Sequence, residues 1–202
     1  MTYSFFPHGI AIFVTVKKVK FSIPLFLGIF IILLQGFYIY VGVTTKDGRI
    51  YSAFLEQYAN FPFWLSAFVA KCAAILLQVL GYTVHQTSIV NVTITGSRGV
   101  TIAWGCLGIG PLSLWVAFTT AHRCSFKYKL KWILAGVAII FALNILRIAM
   151  IALSNHYNWV YVRHFNAHSS FNILTYVIIL LLMVLFVKRY NRLTEHKTNP
   201  SL

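Results

Sequence analysis

Long apolar runs broken by short basic clusters set the pattern of this chain. Residues 21–43 and 104–121 carry no charge, and residues 130–154 carry one interior charge, Arg147, beyond Lys131 at their edge. Residues 168–187 make a further run, uncharged apart from a protonated His168. A helix needs about 20 apolar residues to cross a bilayer, so each run predicts a span, with 104–121 the shortest. Residues 61–80 are also apolar but hold Lys71 near the middle and Gln78 near the end. They predict either a fifth span or an interfacial or re-entrant helix.

The period changes over residues 82–103. Val90, Val92 and Ile94 alternate with Asn91, Thr93 and Thr95, then Gly96-Ser97-Arg98-Gly99 turns the chain before Val100 and Ile102. Alternation of period two around a glycine turn predicts a small β-hairpin. Residues 1–20 read as a lead-in: the apolar stretch 3–16 precedes Lys17, Lys18 and Lys20, the reverse of a signal peptide. Residues 193–202 are polar and predict a mobile tail.

Composition turns these runs into a class. Of 202 residues, 59% are hydrophobic and 10% charged, against about a quarter charged in a soluble domain. Only Asp47, Glu56 and Glu195 are acidic, and mean hydropathy is +0.77. The expected fold is an all-α polytopic membrane protein: one bundle of four to five transmembrane helices, a small extracytoplasmic hairpin and an interfacial or re-entrant helix.

A net charge of +14 would suggest nucleic acid in a soluble protein. Here the cations flank apolar runs: Lys17, Lys18 and Lys20; then Arg123, Lys127, Lys129 and Lys131; then Lys188, Arg189, Arg192 and Lys197. That is a positive-inside pattern, with no separate basic domain to present to a nucleic acid. With all three clusters on the inner side, the chain crosses an odd number of times between Lys20 and Trp104. Residues 21–43 supply one crossing, which favours 61–80 as a helix on the outer face with Lys71 reaching water. Five spans with the first lysines outside is the alternative.

Arg147 is expensive inside a bilayer, about 2.5–3.5 kcal/mol at its centre. Counted from the inner cations at ~1.5 Å per residue, Arg147 and Cys106 each stand ~24 Å up their helices and His168 ~30 Å. A nucleophile, a base and a cation would then share one layer near the outer boundary. An imidazole can take a thiol's proton and pass it to a leaving amine, and a guanidinium can hold an oxyanion or a carboxylate. Cys106 near a helix N-terminus would be favoured as thiolate. Gly105, Gly108 and Gly110 would let a substrate backbone approach.

Each residue also has a bland reading: Cys106 as a small core residue, Arg147 snorkelling, His168 as an interfacial polar group. His164, one turn earlier and ~36 Å up by the same count, competes with His168. Cys72 and Cys124 read as incidental, although a Cys72–Cys106 disulfide is conceivable. No Cys-x-x-Cys pair suggests a metal.

Trp104-Gly105-Cys106-Leu107-Gly108-Ile109 resembles the cysteine motif of the exosortase/archaeosortase family. Asn144-Ile145-Leu146-Arg147 is similar to that family's Asn-x-x-Arg motif, and His168 before Phe171-Asn172 matches its histidine. Leu107 departs from the small or polar residue often found after the cysteine. The resemblance implies a multi-pass cysteine transpeptidase of the bacterial cytoplasmic membrane, its site on the outer side and no cofactor or metal. Its substrates would be proteins ending in a sorting tail of motif, transmembrane helix and basic cluster. It implies Cys106 as nucleophile, His168 as proton-transfer group and Arg147 as stabiliser, with Asn144, Gly105 and Gly108 supporting. A non-enzymatic transport or assembly subunit and a membrane cysteine acyltransferase remain as other classes, separated by tolerance of Cys106→Ala and by processing of a protein partner. Membrane lipid is expected around the bundle, and oligomeric state stays open.

Overall fold

The structure, a computed structural model, describes residues 21–46, 50–157 and 167–198, with side chains of the last helix from 171 to 193. The lead-in 1–20 lies outside the described residues. Helix α1 (Ile23–Thr44) starts with Pro24 in its first turn, where a missing N–H costs nothing. It leads to a short helix α2 (Ala53–Ala59), which hydropathy did not signal, and then to α3 (Phe61–Val79). Asn60 caps α3: its Oδ1 accepts from the N–H of Phe63 at 3.1 Å.

The β segment is larger than a hairpin. Strands β1 (Val84–His85), β2 (Asn91–Ile94) and β3 (Val100–Thr101) form an antiparallel sheet in the order β1-β2-β3. The expected hairpin is its β2–β3 half, in register through Asn91 with Thr101 and Val92 with Val100. Gly96 has φ +81° in the turn, a conformation available to glycine at little cost.

The run 104–121 is not one helix. Trp104–Cys106 forms a 3-10 turn, Gly108 sits at φ +70°, and α4 (Ile109–Ala121) follows with 13 residues. That gives about 20 Å of helix, short of a bilayer's ~30 Å core. Helix α5 (Phe126–His156) is longer than its apolar run, extending back through Lys127, Lys129 and Lys131. Helix α6 (Ala167–Thr198) runs on past the expected boundary at 187, so residues 193–198 are helical where a mobile tail was expected. Lysine, arginine and glutamate are good helix formers, and an established helix propagates through them readily.

Among the described residues, four helical stretches are long and apolar enough to cross a membrane: Ile23–Thr44, Ala53–Val79, Phe126–His156 and Phe171–Leu193. Their outward faces carry the apolar residues that lipid would cover, such as Ile32 on α1 and Ile173 on α6, 70% and 66% exposed.

Two cores lie at opposite ends. At the basic end, Trp115, Ile140, Ile179, Leu182 and Phe186 pack together, and α1 enters against the exit of α4 through Phe21 and His122. Trp115 donates its indole N–H to the carbonyl of Trp132 at 3.1 Å. At the other end, Val69, Ala73 and Leu77 of α3 join Ile148, Ala149 and Ala152 of α5 beneath Val92, Ile94 and Ile102 of the sheet segment. The alanines bring α3 close to α5, and the sheet roofs both. The Trp104–Cys106 turn, with Leu107 buried in this second core, hangs between roof and bundle.

Candidate active site

Cys106 is presented by the turn and not by a helix. Its N–H donates to the carbonyl of Ala103 at 2.8 Å, closing the 3-10 turn. The left-handed Gly108 then swings the chain into α4, whose start no side chain caps. The first-turn N–H groups of an uncapped helix remain unpaired and carry partial positive charge toward its start. Cys106 is therefore adjacent to a helix N-terminus, three residues outside it.

Asn144 and Arg147 reach this turn from α5. Asn144, 6% exposed, donates its side-chain N–H to the carbonyl of Cys106 at 2.7 Å. Arg147 is 5% exposed and lies within coulombic range of the Cys106 side chain. Its Nη1 donates to Oδ1 of Asn172 on α6 at 3.4 Å, a long bond. Its Nε and Nη2 are buried with no hydrogen-bond partner among the described residues. An unpartnered buried guanidinium is costly, since desolvation is offset only when ligands or dipoles take its donors.

The three glycines differ. Among the described residues, a side chain on Gly105 would meet nothing within 4 Å; Gly108 faces the Asn144 amide at 3.8 Å; beside Gly110 stands the Tyr176 hydroxyl at 3.6 Å. Of the three, Gly105 is the one that opens on free space, so room for an approaching backbone lies there and not along the whole motif.

His168 belongs to the first turn of α6, one helical turn before Asn172; its side chain lies outside the described residues, and so does His164. Cys72 on α3 and Cys124 between α4 and α5 are free thiols, as is Cys106, so no Cys72–Cys106 bond forms. The residues brought together are thus Cys106, Asn144, Arg147 and Asn172, with Tyr176 close by. Asn172 was read from sequence only as flanking the His168 motif, and Tyr176 had no functional reading. A signal existed: 168, 172 and 176 are spaced by four and share one helix face.

No metal-binding cluster of three or more His, Cys, Asp or Glu occurs among the described residues.

The family model of the transmembrane exosortases matches residues 20–186. The chain belongs to this transmembrane exosortase family. The match runs from the start of α1 through most of α6 and so contains every residue of the cluster. No curated protein and no solved structure matches the chain. Membership in a transmembrane family and four membrane-length apolar stretches make this a multi-pass membrane protein with an all-α bundle and a small sheet.

Proposed function

We propose that this exosortase-family protein is a cysteine transpeptidase that cleaves C-terminal sorting tails at the Cys106 turn. The observation that carries the reading is Arg147: a buried cation within coulombic range of Cys106, with two donor atoms that have no partner among the described residues. Those donors suit a negative charge that appears only during reaction. Catalysis gains most from groups already aimed at developing charge.

In the proposed cycle, the Cys106 thiol gives its proton to His168, and the sulfur attacks the scissile carbonyl carbon. The carbonyl electron pair moves to oxygen, and Arg147 holds that oxyanion. When the carbonyl re-forms, the C–N bond breaks and His168 returns the proton to the departing amine. The released piece is the transmembrane tail with its basic end. The thioester on Cys106 then passes the new C-terminus to an acceptor nucleophile, or to water, and the thiol is restored. Asn144 fixes the turn, and the space at Gly105 admits the substrate backbone.

The cluster lies at the end of the bundle opposite the basic clusters 123–131 and 188–192, which supports a site facing out of a bacterial cytoplasmic membrane. On the same reading α3 lies on the outer side, because its partners are the sheet, the turn and the distal part of α5.

The test is C-terminal mass spectrometry of membrane and surface proteins in the native host, comparing wild type with Cys106→Ala. Proteins that keep hydrophobic, basic-ended tails only in the variant support the reading, and their wild-type ends give the cleavage site. Unchanged C-termini with Cys106→Ala protein present at normal level refute it.

A further inference from the structure

The row Leu185, Lys188, Arg189, Arg192, Leu193 falls at i, i+3, i+4, i+7 and i+8 of α6. This is the spacing of a helix stripe that ordinarily packs against a neighbour. Here the stripe faces Trp132 of α5 across an open cleft of about 500 Å³, lined among the described residues by these six. The face of α6 beside this stripe makes the packing contacts, with Phe186 fully buried against Trp115 and the same Trp132. Lys188, Arg189 and Arg192 are exposed, and among the described residues the one ion pair joins Lys46 to Glu56 elsewhere. Nearby Lys129 is already engaged on the carbonyl of Thr120 at 2.8 Å.

We infer that this cleft between α5 and α6 binds an anionic phospholipid, its phosphodiester held by Lys188, Arg189 and Arg192 and its acyl chain lying over Leu185 and Trp132. The chemistry is two-part, as the site is. Guanidinium forks and an ammonium match phosphate oxygens. The apolar wall continues to the lipid-facing side of α6, where Leu181 and Leu185 are exposed. Basic pockets between membrane helices are recurrent headgroup sites. A free phosphate would satisfy the cations and leave Leu185, Trp132 and Leu193 uncovered, so the lipid is the occupant that fits the whole lining.

The consequence reaches the other end of the helix. Only 11% of the α6 span is buried, yet its outer part carries Asn172, the partner of Arg147. A lipid wedged between α5 and α6 supplies packing that the protein itself lacks there.

The experiment uses the purified full chain in detergent, titrated with phosphatidylglycerol, phosphatidylcholine or inorganic phosphate and read by native mass spectrometry and unfolding temperature. Wild type should retain phosphatidylglycerol and gain stability from it. The triple variant Lys188→Gln, Arg189→Gln, Arg192→Gln should bind it roughly a hundredfold more weakly, about fivefold per cation. Leu185→Trp, which fills the cleft and keeps the cations, should also weaken it. The triple variant Arg123→Gln, Lys127→Gln, Lys131→Gln removes equal charge from outside the cleft and should bind normally. Equal loss in both triple variants, or binding of phosphatidylcholine as tight as phosphatidylglycerol, overturns the proposal. So does inorganic phosphate matching the lipid in affinity, or Leu185→Trp binding like wild type.

Discussion

The Asn144 side chain donates to the Cys106 carbonyl at 2.7 Å, joining the middle of α5 to a turn 38 residues earlier in the chain. The Cys-containing and Asn-x-x-Arg motifs are thus one physical object. Asn144 holds the backbone of the cysteine, and Arg147, one turn further along α5, reaches its side-chain environment.

Asn144→Ala removes the donor and leaves the Cys106 carbonyl without it. The bond is part-buried, so the cost falls toward the low end of the about 1–3 kcal/mol of an unsatisfied buried group, and the turn should loosen. The expected result is a lower unfolding temperature in detergent together with a changed rate of Cys106 alkylation by iodoacetamide. Asn144→Asp should be worse than Ala, since a carboxylate oxygen would face the carbonyl oxygen. Wild-type stability and alkylation in both variants would remove Asn144 from the site.

The bundle was legible because uncharged runs of membrane length leave few alternatives. The places where the runs misled have one cause: hydropathy registers what a residue avoids, not its backbone angles or hydrogen bonds. Residues 104–121 are apolar throughout, yet Gly108 at φ +70° breaks them into a turn and a short helix. The basic stretches 126–129 and 188–198 are polar, yet α5 and α6 run through them because helix propagation tolerates Lys, Arg and Glu. At the site, Cys106 and Arg147 stood out by residue type alone. Asn172 did not, because an asparagine in an apolar run becomes informative only once α6 is seen to lie against Arg147.

Gly108 and Gly105 should respond differently to the same substitution. Gly108→Ala meets no closer atom than the Asn144 amide at 3.8 Å, so its cost is the left-handed backbone, roughly 1–2 kcal/mol. It should lower the unfolding temperature. Gly105→Ala has free space and no positive φ, so stability should stay within about 0.5 kcal/mol. If substrate passes over Gly105, that variant should still process tails more slowly than wild type. Full processing by Gly105→Ala would move the substrate path elsewhere.

Arg147 separates stability from chemistry. Replacing an incompletely paired buried charge by an apolar side chain of similar length is often neutral or stabilising. Arg147→Met is therefore expected to unfold at or above the wild-type temperature while losing tail cleavage by about a hundredfold or more, the scale of a lost oxyanion donor. Arg147→Lys keeps the charge without the fork and should fall between. Wild-type processing by Arg147→Met would end the oxyanion role.

His122 gives the basic end a pH dependence. It is 4% exposed, ringed by Phe21, Phe118 and Phe186, and its Nδ1 lies 2.8 Å from the Phe118 carbonyl. A carbonyl only accepts, so Nδ1 carries the proton and donates. Burial lowers its pKa from the ordinary 6.5, against the bond to Phe118, which raises it; Lys129 lowers it further. With the folded value depressed, the unfolded chain takes up a proton first as pH falls. Stability is thus full above about pH 6.5 and declines below it until the folded ring also protonates. His122→Asn keeps a donor toward Phe118 and removes the titration. Unfolding temperature measured across this range should fall less steeply for His122→Asn than for wild type, and parallel curves would assign the acid sensitivity to another group.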